Sequence, residues 1–264
     1  MKDGDRRESR MRCSPGIRLA LFMAVFALAV QLRDRVYAMH IAEGILPGAW
    51  AGLWYGVAAV FVAAGLYVMS RELRRDRSRG PQMALMGALI FIFSLLPIPV
   101  PISGTCSHPC GTPMASVVIG PAVSALMGGI ALLFQALFFA HGGITTWGAN
   151  VVSMAVVGSF AGFFVYRLSR RLGANTFLAA FFAGFVGDLC VYLVTALQLA
   201  LGVPTAAGVL SRWGTVFVAF LPTQLPLAVL EGVVTGGVVA AIAGRRPEML
   251  AEAVPVFARR GRGN

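Results

Sequence analysis

Long apolar segments alternate with short basic segments along most of the chain. An α-helix needs about 20 residues to cross a bilayer, and several of the apolar segments reach or exceed that length. The pattern therefore predicts a polytopic helical membrane protein. The segments cover residues 47–70, 82–100, 114–140, 150–167, 175–201 and 215–243.

Composition and charge agree with this pattern. Hydrophobic residues make up 58% of the chain and charged residues only 12%, with a mean hydropathy of +0.77, which is far too apolar for a soluble domain. The net charge of +11 comes largely from arginines clustered between the apolar segments. Such clusters are typical of cytoplasmic membrane loops, so no nucleic-acid partner is predicted.

Residues 1–38 have the pattern of a signal peptide. A basic start precedes an apolar run from Ile17 to Val30, and Ala38 supplies the small residue of a cleavage position. The run of 14 residues is short for a membrane span. The charged stretch QLRDR before the cleavage position leaves an uncleaved first helix as the alternative. Cleavage after Ala38 is the prediction.

The arginine clusters set the predicted topology. Five arginines and two acids lie in the loop Arg71–Gly80, which is therefore predicted to be cytoplasmic, with the processed N-terminus outside. Later clusters return to the cytoplasm only if segment 114–140 is divided, and Gly120-Pro121 can interrupt a helix there. Those 27 residues are only about 40 Å long as a helix. The first half is therefore predicted to be short or re-entrant.

The resulting fold class is an all-α polytopic membrane protein with about seven transmembrane or re-entrant helices after the cleaved signal peptide. The N-terminus is predicted outside and the C-terminus in the cytoplasm, in a multi-pass protein of the cell (inner) membrane. The predicted divisions are the signal peptide 1–38, a metal-binding helical membrane domain 39–244 and a basic cytoplasmic tail 245–264.

The three histidines of the chain all fall on the outer side of this topology. Cleavage before Met39 would free an α-amine, so that the amine, the His40 backbone nitrogen and His40 Nδ1 could close chelate rings on one ion. His108 could supply a fourth nitrogen, and His141 could bind the ion or lie beside it. Nitrogen donors suit cobalt, nickel, copper or zinc rather than calcium or magnesium. Because these nitrogens bind only when neutral, affinity is expected to fall as the pH drops toward about 6.

Other polar residues are secondary candidates. Cys106 and Cys110 could form a disulfide, bind metal as a thiolate pair, or serve as small packing residues. Asp188 and Glu231 lie inside apolar segments, where ionisable groups are costly and often functional. Glu231 could orient the metal site, pair with a buried donor or lie near an interface. The sequence has no Walker A, G-x-S-x-G or H-E-x-x-H motif, so the chain is predicted to be neither an ATPase nor another enzyme.

Four motifs, in this order, resemble the CbiM/NikM family, the substrate-binding membrane components of energy-coupling factor (ECF) transporters for cobalt and nickel. A loop of the CSHP-GT type followed by AHGG resembles the cobalt branch. Cys110 and Pro113 depart from the family pattern beside His108, and the departure bears on metal preference. The motifs are MHIAEGILP, GTCSHPCGT, FAHGGITTWGAN with SMAVVG, and LPLAVLEGVVT.

The resemblance implies a ligand set, a substrate and partners. Co2+ is the implied substrate, with Ni2+ as the alternative and no organic cofactor, and cobalt uptake would supply cobalamin biosynthesis. The implied partners are an ECF transmembrane component, ATP-binding subunits of this ABC-type transporter and a small accessory membrane subunit. The implied ligands are Met39, His40 and His108, with His141, Ser107, Glu231 and Cys106 as candidates for residues beside them.

Two other functions fit parts of the sequence. A stand-alone secondary transporter could carry a coupling ion on Asp188 and Glu231, although no paired inverted repeats are visible. A membrane enzyme with a histidine metal site would need a carboxylate general base, and only Glu43 lies near a histidine in sequence. Substrate capture for an ECF-type transporter is therefore the prediction.

Overall fold

A computed structural model describes residues 37–38, 40–96, 98–100, 105–203 and 208–251. Most of these residues are helical, which confirms the predicted helical character. Of the predicted signal peptide only Tyr37 and Ala38 are described, and residues 252–264 of the predicted tail lie outside the described part. The helices are α1 (Gly48–Arg75), α2 (Arg79–Ser94), α3 (Thr112–Ile119), α4 (Pro121–Phe138), α5 (Trp147–Arg171), α6 (Thr176–Gly202), α7 (Val209–Arg245) and α8 (Glu248–Ala251).

Five of the described helices are long and apolar enough to cross a membrane, namely α1, α4, α5, α6 and α7. Large apolar side chains point away from the protein on these helices; in α1, Val60 is 67% exposed and Tyr67 is 63% exposed. Continuous apolar surface of this kind fits contact with lipid chains. Helix α2 has only 16 residues and α3 only 8, so the predicted count of seven segments includes two short helices and stays a prediction.

The break predicted near Gly120-Pro121 is confirmed. Helix α3 ends at Ile119 and α4 begins at Pro121. Gly120, between them, has a φ of 81°, a left-handed conformation that glycine adopts without the steric cost of a Cβ. Proline at the first position of α4 loses no helical hydrogen bond, because the first backbone N–H groups of a helix have no partner within it.

The prediction of one continuous apolar segment over 82–100 is wrong at its end. Helix α2 stops at Ser94, and Ile98–Val100 form a strand instead. The sequence LPIPVP places a proline at every second position from Pro97 onward. A helix cannot continue through such a run, because each proline lacks the backbone N–H that a helix needs.

Helix α3 lies at the centre of the helix packing. All of its residues are buried, in agreement with the short helix predicted to pack within the protein. A Cβ on Gly162 of α5 would lie 2.7 Å from Pro113 Cβ, and one on Gly187 of α6 would lie 2.8 Å from Pro113 Cγ. Glycine at these two positions therefore lets α5 and α6 approach α3 from both sides.

Helices α6 and α7 approach each other through small residues as well. A Cβ on Gly184 would lie 2.8 Å from the backbone oxygen of Glu231, and one on Gly232 would lie 2.9 Å from the backbone oxygen of Phe181. This close approach places two ionisable residues in the interior, since Asp188 is 0% and Glu231 only 2% exposed. The two carboxyl groups face each other across the helix pair.

A small sheet, which the sequence did not predict, joins two distant parts of the chain. It consists of β1 (Tyr37–Ala38), β2 (Ile98–Val100) and β3 (Thr105–Ser107) in the order β1-β3-β2. Strand β2 is antiparallel to β3. Strand β1 is parallel to β3, with Tyr37 opposite Thr105 and Ala38 opposite Cys106.

The packing around Pro113 predicts that two glycine-to-alanine changes will affect the melting temperature differently. Gly162→Ala should lower the melting temperature of the detergent-purified protein by several degrees, because the new methyl group overlaps Pro113 and overpacking costs about 1–3 kcal/mol. Gly237→Ala is the matched control in α7, since a Cβ there meets nothing within 4 Å. It should leave the melting temperature unchanged or raise it, because alanine favours a helix by about 1 kcal/mol over glycine. Equal melting temperatures for the two variants would contradict this packing.

Candidate metal centre

The structure brings His40, His108 and His141 together. The ring centroids are 5.0 Å apart for His40 and His108, 4.4 Å for His40 and His141, and 5.3 Å for His108 and His141. One ring nitrogen from each histidine lies within 4.8 Å of the other two. His40 is 4% and His108 only 1% exposed. This cluster, called here the histidine cluster, is compact enough for one ion to contact more than one ring.

The register of the small sheet explains why His40 and His108 are neighbours. Tyr37 pairs with Thr105 and Ala38 with Cys106, so residues separated by 68 positions lie side by side. The same separation relates His40 to His108. Two segments far apart in sequence therefore run parallel into the cluster and each presents a histidine at the same level.

A second set of contacts holds the residue that follows His40. The Asn150 side chain accepts a hydrogen bond from Ile41 N–H at 2.9 Å and donates one to Ile41 C=O at 3.2 Å. Thr146 Oγ1 donates to the same carbonyl at 2.6 Å. Both backbone groups of Ile41 are thus bound by side chains at the start of α5, and this arrangement is called here the Ile41 clamp. The clamp fixes the backbone beside His40.

Two glycines let the loop before α5 reach the segment 40–43. Gly142 has a φ of +82°, and a Cβ on it would lie 3.3 Å from His40 Cβ; one on Gly143 would lie 2.7 Å from Glu43 Cα. Across this contact the Glu43 carboxylate accepts from the Thr145 N–H at 3.1 Å. A larger residue at position 143 would force the two segments apart.

The loop after His108 is held from the opposite side, by α7. One oxygen of Glu231 accepts from Cys110 N–H and the other from Gly111 N–H, each at 2.9 Å. These two bonds are called here the Glu231 clamp. Gly111 has a φ of 67° as it enters α3, a turn that favours glycine. In α5, the backbone oxygen of Met154 accepts a further hydrogen bond from Thr112 Oγ1 at 2.8 Å. The loop is therefore bound by α7 on one side and by α5 on the other.

The environment of the histidine cluster favours neutral imidazoles. Burial, with help from His141, lowers the pKa of His108 to about 3. Burial, followed by His141 and His108, also lowers the pKa of His40 well below its usual value, and contact with the Gln135 side chain only partly offsets this. Burial disfavours a charged ring, and neighbouring rings disfavour each other's charge. A neutral imidazole keeps a lone pair available for a metal.

Ring nitrogens of His40 and His108 remain available to an ion. Both nitrogens of His40 and Nε2 of His108 are buried and have no hydrogen bond of ordinary geometry within the described part of the chain. His108 Nδ1 lies 3.2 Å from the backbone oxygen of Pro109, which leaves Nε2 as the free donor atom. Buried polar atoms without partners are rare. A bound cation would give these nitrogens the partner that they lack.

The remaining sequence candidates divide into those placed near the cluster and those not described. Met39 lies outside the described residues, as do the side chains of Cys106 and Ser107. The Glu231 carboxylate binds backbone N–H groups of the loop after His108, as given above. Cys110 is a free thiol, so the alternative of a Cys106–Cys110 disulfide is not present in this structure.

Sequence reasoning missed Asn150 and Thr146. Both belong to the motif FAHGGITTWGAN, but neither carries charge or an obvious metal-binding group. The sequence feature that could have identified Asn150 is an amide at the start of an apolar segment, a few residues after a histidine and two glycines. Its backbone partner in a distant segment could not be read from the sequence.

Comparison with known proteins matches most of this chain to one family. The family described as "Cobalt uptake substrate-specific transmembrane region" (CbiM) matches residues 40–249. The "Cobalt transport protein CbiM" of Geobacter sulfurreducens is 50% identical over 237 residues, covering 89% of this chain and 68% of that protein. The protein of the same name from Sorangium cellulosum is 49% identical over 212 residues, covering 80% of this chain and 94% of that protein.

Two solved structures share the fold. A truncated transition metal transporter superimposes with a TM-score of 0.67 at 28% identity, over 78% of this chain and 99% of that one. A second transition metal transporter gives a TM-score of 0.67 at 27% identity, over 85% and 100%. Since the family match and the close relatives run through the whole described helical region, this chain belongs to the CbiM family.

Proposed function

We propose that this membrane protein captures Co2+ on the outer side of the cell's inner membrane for import by an ECF-type transporter. The observation that carries the proposal is the histidine cluster, in which buried ring nitrogens of His40 and His108, without ordinary hydrogen bonds in the described part of the chain, match the donors that late first-row divalent ions prefer;. The names of the curated relatives support cobalt as the cargo. Ni2+ is the alternative cargo, because the same donors suit it.

In this proposal the ligands are the Met39 amine, the backbone nitrogen and side chain of His40, and His108. Signal cleavage after Ala38 creates the amine and removes β1, so the Ile41 clamp must then hold the His40 segment in register. His141 lies beside His40 and can either bind the ion or shield it. The N-terminus faces outward and the C-terminus inward, consistent with the arginine-rich loops predicted in the cytoplasm.

The chain supplies capture, and its partners supply energy. We infer an ECF transmembrane component, ATP-binding subunits and a small accessory membrane subunit, with the imported cobalt passing to cobalamin biosynthesis. Uptake of Co2+ into proteoliposomes should require these partners and ATP. Uptake by the purified chain alone would instead support a secondary transporter.

The amine ligand predicts that the length of the processed N-terminus is critical. One glycine added before Met39 should weaken Co2+ binding by at least about tenfold, or ~1.4 kcal/mol, because it moves the amine away from the chelate. Calorimetric titration in detergent measures the change. Met39→Ala is the matched control, since it keeps the amine in place and should bind normally. Normal binding by the extended protein would remove the amine from the ligand set.

The low pKa values of His40 and His108 sharpen the expected pH dependence. Both pKa values lie below 6.5, that of His108 at about 3, so the two rings take up no competing proton as the pH falls from about 7.5 to about 6.5. Protons compete only for the amine, with a usual pKa of about 7.7–8.0, and for the backbone nitrogen. The dissociation constant for Co2+ should therefore rise by about 100-fold per pH unit, a factor of ten for each proton. A flat profile would contradict the ligand set, and a much steeper one would show that the imidazoles titrate as well.

The Ile41 clamp predicts that Asn150 controls affinity without touching the ion. Asn150→Leu removes both hydrogen bonds at similar volume and should weaken Co2+ binding by about 10–100-fold, the range found when residues that orient metal ligands are lost. Asn150→Asp keeps an acceptor for the Ile41 N–H and should give an intermediate loss. Ser153→Ala is the control one turn further along α5, because the Ser153 hydroxyl bonds only within its own helix. Equal affinities for the Asn150→Leu and Ser153→Ala proteins would show that the clamp does not set the geometry of the site.

A further inference from the structure

A second group of metal-binding side chains is buried beside the loop that follows His108. The Cys110 Sγ, an Asp188 carboxylate oxygen and a Glu231 carboxylate oxygen all lie within 4.8 Å of one another, and all three residues are buried. They come from three different elements, namely the loop before α3, helix α6 and helix α7. This inner cluster is separate from the three histidines described above.

The hydrogen bonds of the protein do not account for the inner cluster. Neither oxygen of Asp188 has a hydrogen bond of ordinary geometry within the described part of the chain, although the residue is 0% exposed. The Glu231 carboxyl group is its polar neighbour. Each Glu231 oxygen accepts one backbone N–H, and a carboxylate oxygen has two lone pairs. Asp188 thus meets a thiol and a second carboxyl group, and the two carboxyl groups are close enough to share a proton when no cation lies between them.

Burying carboxyl groups in this way is costly unless a cation or proton compensates them. The ion pairs seen in the described part of the chain involve Glu72 and Glu248, not these residues. One sulfur and two carboxylate oxygens form a donor set for a divalent ion of intermediate softness, such as Co2+ or Zn2+. Calcium and magnesium, which prefer oxygen ligands throughout, fit it poorly.

We propose that Cys110, Asp188 and Glu231 form a second divalent-cation site, which takes the cargo ion on its way inward from the histidine cluster. The inference rests on the proposed capture function. Binding replaces the protons of the Cys110 thiol and of a carboxyl group by the ion, and those protons pass to solvent. The thiolate, two carboxylates and one divalent ion then leave a single net negative charge.

The position of the inner cluster fits a transit site. Cys110 is two residues beyond His108, so their Cα atoms are at most about 7–8 Å apart, and an ion can pass between the sites with only local movement of the loop. Asp188 lies near the middle of the 27-residue helix α6.

Cobalt itself is the probe for this site. Co2+ titrated into the purified full-length protein under anaerobic conditions should fill the histidine cluster first and then bind a second equivalent. The second step should bring a thiolate-to-cobalt charge-transfer band in the near ultraviolet, which nitrogen and oxygen ligands do not produce. Cys110→Ser and Asp188→Asn should each abolish the second equivalent, and Cys110→Ser should also remove the band. Cys190→Ser is the matched control, because it removes the other described free thiol, and it should keep both.

The outcomes separate this site from the proposed function. One equivalent bound through nitrogen, with no thiolate band at saturating Co2+, would overturn the inner site and leave capture by the histidine cluster intact. Absence of any Co2+ binding would overturn the proposed function. A band that survives Cys110→Ser would also contradict the assignment. The melting temperature of the Asp188→Asn protein shows whether its loss of metal reflects unfolding; if it unfolds, the Cys110→Ser spectrum still decides.

Discussion

The side-chain amide of Asn150 binds both backbone groups of Ile41, and the histidine cluster depends on this interaction. In an interior that excludes water, a backbone N–H and C=O without partners would cost several kcal/mol. The segment after His40 has no helix to satisfy Ile41, so the Asn150 amide and the Thr146 hydroxyl do so. Because a primary amide offers a donor and an acceptor in fixed geometry, the clamp sets both the position and the direction of the segment.

The other features of the cluster follow from this constraint. A segment held against the start of α5 must pass the preceding loop closely, which requires glycine at positions 142 and 143. The residues before it, Tyr37 and Ala38, pair in parallel with Thr105 and Cys106, which lead to His108. The two histidines then meet in a buried pocket, where burial keeps their rings neutral. Neutral rings can lie this close together, because charged rings would repel each other and any approaching cation.

Part of this arrangement could be predicted from the sequence. The arginine clusters predicted that His40, His108 and His141 share one side of the membrane, and the structure brings the three rings together. The helix break at Gly120-Pro121 was predicted from the same charges and from the missing N–H of proline. Both predictions rest on properties that single residues carry independently of their partners.

The parts that were missed depend on pairs of distant residues. The small sheet pairs segments 68 positions apart, and its strands are too short to show alternation in the sequence. Asn150 and Glu231 bind backbone groups of Ile41 and Cys110. Nearly every residue has such groups, so the sequence does not show which residue is the partner. The role of Glu231 was considered as one of orienting the metal site, but the loop it holds could not be identified without the fold.

The two clamps attach the histidine-bearing segments to different helices. The Ile41 clamp belongs to α5, which contains a π-helical stretch from Val151 to Val157 directly after Asn150. The Glu231 clamp belongs to α7. Short π-helical stretches often occur at functional sites. The loop after His108 is also bound to α5, where the Met154 backbone oxygen accepts from Thr112 Oγ1, so this loop is attached to both helices. A shift of α7 relative to α5 would therefore strain either that bond or the Glu231 clamp, which couples the position of His108 relative to His40 to the packing of the two helices.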